Sequence, residues 1–190
     1  MNKKLILGSK SPRRKELIEG INIPFEIRTK DTDESFPSDL PCVDVAEYIA
    51  KKKADALKAD LLENEIILCA DTVVIVNNQI LGKPANFDDA KQMLQSLSNK
   101  THQVVTGVVI TSSVKESIFK VTTDVTFKEL TNEEIEFYIN NYQPFDKAGS
   151  YGIQEWIGYI GVKELKGSYF NVVGLPIQEV YSVLKGEFLN

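Results

Sequence analysis

Leu5-Ile6-Leu7-Gly8-Ser9-Lys10-Ser11-Pro12-Arg13-Arg14-Lys15-Glu16-Leu17 reads as a short buried strand, a tight polar turn and the start of a helix. Ser11 suits the N-cap, because its hydroxyl can accept from the unpaired amides of the first turn. Pro12 suits the first helical position, where its missing N–H costs nothing and its fixed φ is already helical. The charges at that helix start run against the local dipole: Arg13, Arg14 and Lys15 sit at its positive end, where carboxylates are favoured. The chain has only three arginines, Arg13, Arg14 and Arg28, so two of them fall here. Free amides and two guanidinium forks suit a polyanion such as phosphate, against the plainer reading of an ordinary connection with solvated charges.

Working outward, 190 residues with 43% hydrophobic and 26% charged content describe a globular chain able to bury a core. One domain is expected over residues 1–190, with room for two lobes around a cleft. The net charge of −5 speaks against a nucleic-acid-binding surface, since the six basic residues before Glu16 form only a local cluster. Met1-Asn2-Lys3-Lys4 precedes too short an apolar run for a signal peptide, and no run is long enough to span a bilayer. Cys42 and Cys69 form no CxxC pair and read as reduced thiols, so a cytoplasmic protein is expected, with no membrane partner.

Further along, Asp31-Thr32-Asp33-Glu34-Ser35-Phe36-Pro37 is an acidic loop, either solvated or a source of the hard oxygen ligands that Mg²⁺ uses beside substrate phosphates. Val43–Asp60 is the clearest helix. On a wheel of about 100° per residue centred on Ile49, the residues Val45, Ala46, Ala56 and Leu57 form the apolar face. Lys53 falls about 40° from its centre, whereas Lys51 points away. A lysine so placed must snorkel or find an anion, which makes Lys53 a second phosphate-binding candidate.

Ile66–Val76 predicts a central strand, bent or ended near Asp71-Thr72 and followed by an Asn77-Asn78 turn. A carboxylate inside such a run needs partners or a metal. At a strand end, where open α/β sheets place their ligands, it is a catalytic candidate beside the plainer reading of a loop-capping Asp. Ile80–Pro84 leads to a helix over Asp88–Leu97. His102–Thr111 and Glu116–Leu130 read as further strands, the latter alternating as an antiparallel hairpin does. Thr131-Asn132-Glu133-Glu134 is a capping box opening a helix over Glu133–Asn140. No GxxxxGK[ST] occurs, which excludes a Walker-type nucleotide site, and the lone His102 has no nucleophile motif near it. Tyr142–Gln154 is a Gly- and aromatic-rich loop holding Asp146-Lys147, and a last helix opens at Pro176.

Taken in order, Ser9-x-Ser11-Pro12-Arg13-Arg14, Asp33-Glu34, Lys53-Ala54, Ala70-Asp71-Thr72, Gly82-Lys83-Pro84, Thr106-Gly107-Val108, Asp146–Gln154 and Asn171–Pro176 resemble the Maf family of nucleotide pyrophosphatases, nearly end to end. The resemblance implies an α/β fold with a bent mixed sheet and helices, two lobes around a deep cleft, akin to the inosine triphosphate pyrophosphatases. It implies hydrolysis of a nucleoside triphosphate to the monophosphate and pyrophosphate with a divalent cation, Mg²⁺ or Mn²⁺, in a house-cleaning role. Asp71 matches the catalytic carboxylate and Glu34 a second essential acid; both are the implied metal ligands. Ser9, Arg13, Arg14, Lys53 and Lys83 match the phosphate-binding set, with Lys53 also counted as catalytic. Arg13, Thr72 and Gln154 match the specificity positions of the branch acting on dTTP and UTP, with modified pyrimidine nucleotides sharing the same base edge. Members of the family often form dimers. The competing expectation is a regulatory binding protein, since the family takes its name from inhibition of septum formation; no stable nucleic-acid partner is expected.

Overall fold

The structure is a computed structural model that describes residues 3–189; Met1 and Asn2, half of the short basic opening, lie outside the described residues. The strands are β1 (Lys4–Leu7), β2 (Phe25–Ile27), β3 (Glu65–Val76), β4 (Gln79–Leu81), β5 (Thr101–Thr111), β6 (Glu116–Phe127) and β7 (Val162–Lys166). The helices are α1 (Pro12–Glu19), α2 (Cys42–Lys58), α3 (Phe87–Leu97), α4 (Asn132–Tyr142), α5 (Trp156–Gly161), α6 (Tyr169–Val173) and α7 (Ile177–Val183). The seven strands form one mixed sheet in the order β2-β1-β3-β5-β6-β7, with β4 paired to β3. No helix of the described residues is long and apolar enough to cross a membrane.

The opening stretch folds as its residues dictate. Pro12 begins α1 and the Ser11 hydroxyl accepts from the Arg14 amide. β1 pairs in parallel with both β2 and β3, with Leu5 opposite Phe25 and Ile66. Parallel neighbours cannot be joined by a tight turn, so α1 carries the chain from β1 to β2 and α2 carries it on to β3.

Chain contacts divide the protein into two compact units. The first takes the chain through Thr72, then Thr106–Val121 and the chain from Gly174. Its core follows strand alternation. Leu5, Leu7, Ile66, Leu68, Val108 and Ile110 pack with Ile18 of α1 and with Ile177, Val180 and Leu184 at the carboxyl end. The alternate residues Ile6, Ile67, Cys69 and Val109 pack against Ala50, Ala54 and Leu57 of α2. Both faces of these strands are covered, which is why they read as continuous apolar runs. α2 lies close over β5, where a Cβ on Gly107 would collide with the backbone of Glu47.

The second unit takes Val73–Val105 and Thr122–Val173. Val74, Val76, Val104, Val125 and Phe127 pack with Leu94 of α3 and with Ile135, Tyr138 and Ile139 of α4. Asn77 and Asn78 hold φ of 51° and 60°, closing the two-residue hairpin between β3 and β4. The capping box at Thr131 and Glu134 is formed.

Three expectations change in detail. β3 does not end at Asp71 but runs unbroken through Asp71-Thr72 to Val76. On α2 the buried arc includes Ala50 and Ala54, while Ala56 is only half-buried. The shift follows from the helix's packing against Ile6, Ile67 and Val109 rather than symmetrically about Ile49. Pro176 is the N-cap of α7 rather than its first helical residue.

Candidate active site

In the first unit, α2 aims Lys53 at β3. Its Nζ donates to Asp71 Oδ1 at 2.6 Å and pairs with Glu34 Oε1 at 2.7 Å. The Lys53 side chain is 18% exposed and that of Asp71 15%, so this pair is largely removed from water, while Glu34 reaches in from the exposed acidic loop. The neighbouring lysines behave differently. Lys52 holds the same loop through Asp33 at 3.1 Å and the Ser35 carbonyl at 3.0 Å. Lys51, 35% exposed, pairs with Asp55 one turn on and with Glu116 at 3.4 Å. Of the three lysines, the one placed on the apolar face by the wheel is the one that meets the half-buried Asp71 carboxylate.

Arg14 is turned into the fold. Its Nε donates to the Gly174 carbonyl at 2.8 Å, Nη1 to the Ala70 carbonyl at 2.8 Å and to Ser9 Oγ at 3.4 Å, and Nη2 to Thr72 Oγ1 at 3.0 Å. Four of the five N–H donors of a guanidinium are thereby used on protein acceptors. Two of the acceptors, Ala70 and Thr72, flank Asp71. Burial lowers the pKa of Arg14, with the Asp71 charge opposing most strongly, and the group stays charged at physiological pH. Thr72 Oγ1 also shares a 2.9 Å hydrogen bond with the buried hydroxyl of Thr106. Ser9 is buried, and its Oγ also accepts from the Ser11 amide at 3.2 Å. Arg13 is half-buried in the first turn of α1.

The remaining predicted residues belong to the second unit. Lys83 is exposed in the loop after β4. Gln154 is half-buried, and its Oε1 is buried with no hydrogen-bond partner among the described residues. His102 is fully buried, with Nε2 2.6 Å from Tyr151 Oη and its ring edge-on to Phe127 and Tyr151, and burial lowers its pKa to about 4. It is a structural residue. Cys69 is buried and its thiol is pushed up to about 12 by desolvation, so it is inert as a nucleophile; neither Cys69 nor Cys42 is in a disulfide.

No group of three or more His, Cys, Asp or Glu among the described residues is arranged to hold a metal ion by itself. The pair Asp71 and Glu34, converging on one ammonium, is nonetheless a hard-oxygen donor set. It matches the habit of Mg²⁺, which takes one or two carboxylates and completes its shell with substrate phosphates and water. Nothing in the sequence assigns a role to Thr106 or to the carbonyls of Ala70 and Gly174. A threonine in a buried apolar strand is a faint signal, and a carbonyl acceptor leaves none.

The family model described as Maf-like protein matches residues 4–187. This chain belongs to the Maf family. A Maf relative from Flavobacterium psychrophilum, named dTTP/UTP pyrophosphatase, is 50% identical over 96% of this chain and 94% of its own length. One from Phocaeicola vulgatus with the same name is 51% identical over 96% and 95%. Among solved structures, a HAM1 protein from Coxiella burnetii superposes with a TM-score of 0.49 at 14% identity, covering 97% of this Maf chain and 99% of that one.

Proposed function

We propose that this Maf protein hydrolyses dTTP and UTP, and modified pyrimidine nucleotides of the same base edge, to the monophosphate and pyrophosphate in a house-cleaning role. The observation that carries the reading is Lys53 held between Asp71 and Glu34, in a chain about half identical to relatives named for that activity. Those names describe an enzyme and favour catalysis over the regulatory binding role.

Asp71 accepts the proton of a water that attacks the α-phosphorus; the bond from that phosphorus to the α,β-bridging oxygen breaks, and pyrophosphate departs. Lys53 holds the carboxylate and adds positive charge beside the phosphates, which is where catalysis of phosphoryl transfer mostly lies. Asp71 and Glu34, together with phosphate oxygens, would hold Mg²⁺ or Mn²⁺, which when bound supplies further positive charge to the departing pyrophosphate. Ser9, Arg13 and Lys83 bind phosphate oxygens. Arg14 contributes chiefly its charge, because its fork is occupied by Gly174, Ala70, Ser9 and Thr72.

Arg13, Thr72 and Gln154 select the base. The unpartnered acceptor on Gln154 suits a ring N3–H, which uracil and thymine carry, whereas cytosine presents an acceptor there. A mispaired cytosine leaves buried polar groups unsatisfied, a larger loss than a missing methyl. We place the enzyme in the cytoplasm, where cysteines stay reduced, as Cys42 and Cys69 are here, and expect a homodimer by light scattering.

A panel of nucleoside triphosphates with and without Mg²⁺ or Mn²⁺, read by pyrophosphate release, tests the proposal. dTTP and UTP should be cleaved comparably and at least ~10-fold faster than dCTP, about 1.4 kcal/mol. A preference for a purine triphosphate would overturn the base assignment, and no pyrophosphate release would overturn the activity.

A further inference from the structure

Gln154 stands in a turn that is tied at both ends to one tyrosine. The turn Gly152-Ile153-Gln154-Glu155 closes through the Glu155 amide, which donates to the Gly152 carbonyl at 3.0 Å. The Tyr138 hydroxyl of α4 accepts from the Gly152 amide at 3.0 Å and donates to the Glu155 carboxylate. Tyr138 is fully buried, and burial together with that carboxylate raises its pKa, so the hydroxyl remains a donor. The other Glu155 oxygen pairs at 3.1 Å with Lys147, itself buried and paired with Asp146 at 2.7 Å. One carboxylate therefore joins the start of the loop, the end of the turn and the helix beneath them.

We propose that Glu155 is a positioning residue for base recognition: its bonds to Lys147 and Tyr138 hold the turn that carries Gln154, fixing where the amide's unpartnered acceptor points. The inference rests on reading Gln154 as the residue that selects the base. A loose turn lets the amide rotate or withdraw, and an amide that can turn over meets the acceptor edge of cytosine as readily as the N3–H of thymine. Discrimination then falls while the phosphates, bound elsewhere, still react.

The test compares kcat/KM for dTTP over dCTP in the wild type, Glu155→Gln, Lys147→Met, the double variant and Gln154→Ala, with melting temperatures recorded for each. Glu155→Gln keeps the size and the acceptor for Tyr138 but removes the charge that ties the turn to Lys147, which retains Asp146. We expect each of the two single changes to lower the dTTP/dCTP ratio at least ~5-fold while kcat with dTTP falls less than the ratio does. The double variant should lose no more discrimination than either single one, because both residues act through one contact. A merely structural role would lower the melting temperature and leave the ratio intact. If Gln154→Ala collapses the ratio while folded Glu155→Gln and Lys147→Met keep it, this inference is overturned and the base assignment stands. If Gln154→Ala leaves the ratio unchanged, both fall together.

Discussion

Replacing Lys53 with alanine removes the ammonium that pairs with both Asp71 and Glu34. The loss comes mainly from Asp71, whose side chain is 15% exposed and would lose this ammonium; Glu34, 53% exposed, can turn to water. Truncating one member of a buried, hydrogen-bonded charge pair costs roughly 2–5 kcal/mol, and the residual solvent access here places the figure near the low end, about 2–3 kcal/mol. That is a ~30- to 150-fold fall in kcat/KM for dTTP. Lys51→Ala is the control on the same helix. Its i,i+4 pair with Asp55 and its contact with Glu116 are solvent-accessible, so the change should cost at most ~0.5 kcal/mol, less than threefold in activity. Pyrophosphate release at matched protein concentration, with folding checked by circular dichroism, measures both. Similar effects from the two substitutions, or a Lys53 variant within threefold of wild type, would refute the argument from burial and pairing.

Asp71→Asn keeps the shape of the side chain and removes the base; kcat should fall at least ~10²-fold with KM little changed, and near-normal turnover would take Asp71 out of the mechanism. Stability should fall in mild acid because of His102, whose folded pKa of about 4 lies below the ordinary value. Between those two values the unfolded chain binds the extra proton, so this contribution is complete above pH ~6.5 and is lost as the pH falls towards 4. The loss between pH 7.5 and 5 is about 2 kcal/mol, and His102→Phe should remove it; parallel stability profiles for the two proteins would contradict this assignment.

What could be read in the sequence was local. Ser11-Pro12 opens α1, Asn77-Asn78 closes a hairpin, Thr131 and Glu134 cap α4, and the wheel of α2 singles out Lys53. What could not be read depends on residues brought together from afar. Asp71-Thr72 looked like a break in β3 because its partners are not adjacent: Lys53 lies 18 positions away, Arg14 58 and Thr106 34. The acceptors that hold Arg14 include carbonyls 56 and 160 positions distant, so its part in bracing Asp71-Thr72 and Gly174 leaves no mark in the sequence. β7, Val162–Lys166, gave no strand signal because it is short, charged and at the sheet edge, where only one side is paired. Glu155 carried no motif of its own; its role emerges only once Tyr138 and Lys147 are seen on either side.

Hydrolysis of dTTP in ¹⁸O-labelled water tests the central claim most directly, because it reports which phosphorus the water attacks. Attack on the α-phosphorus with Asp71 as base places one ¹⁸O in dTMP and none in the pyrophosphate, in equimolar yield. Label in the pyrophosphate, or release of dTDP and orthophosphate, would contradict the account.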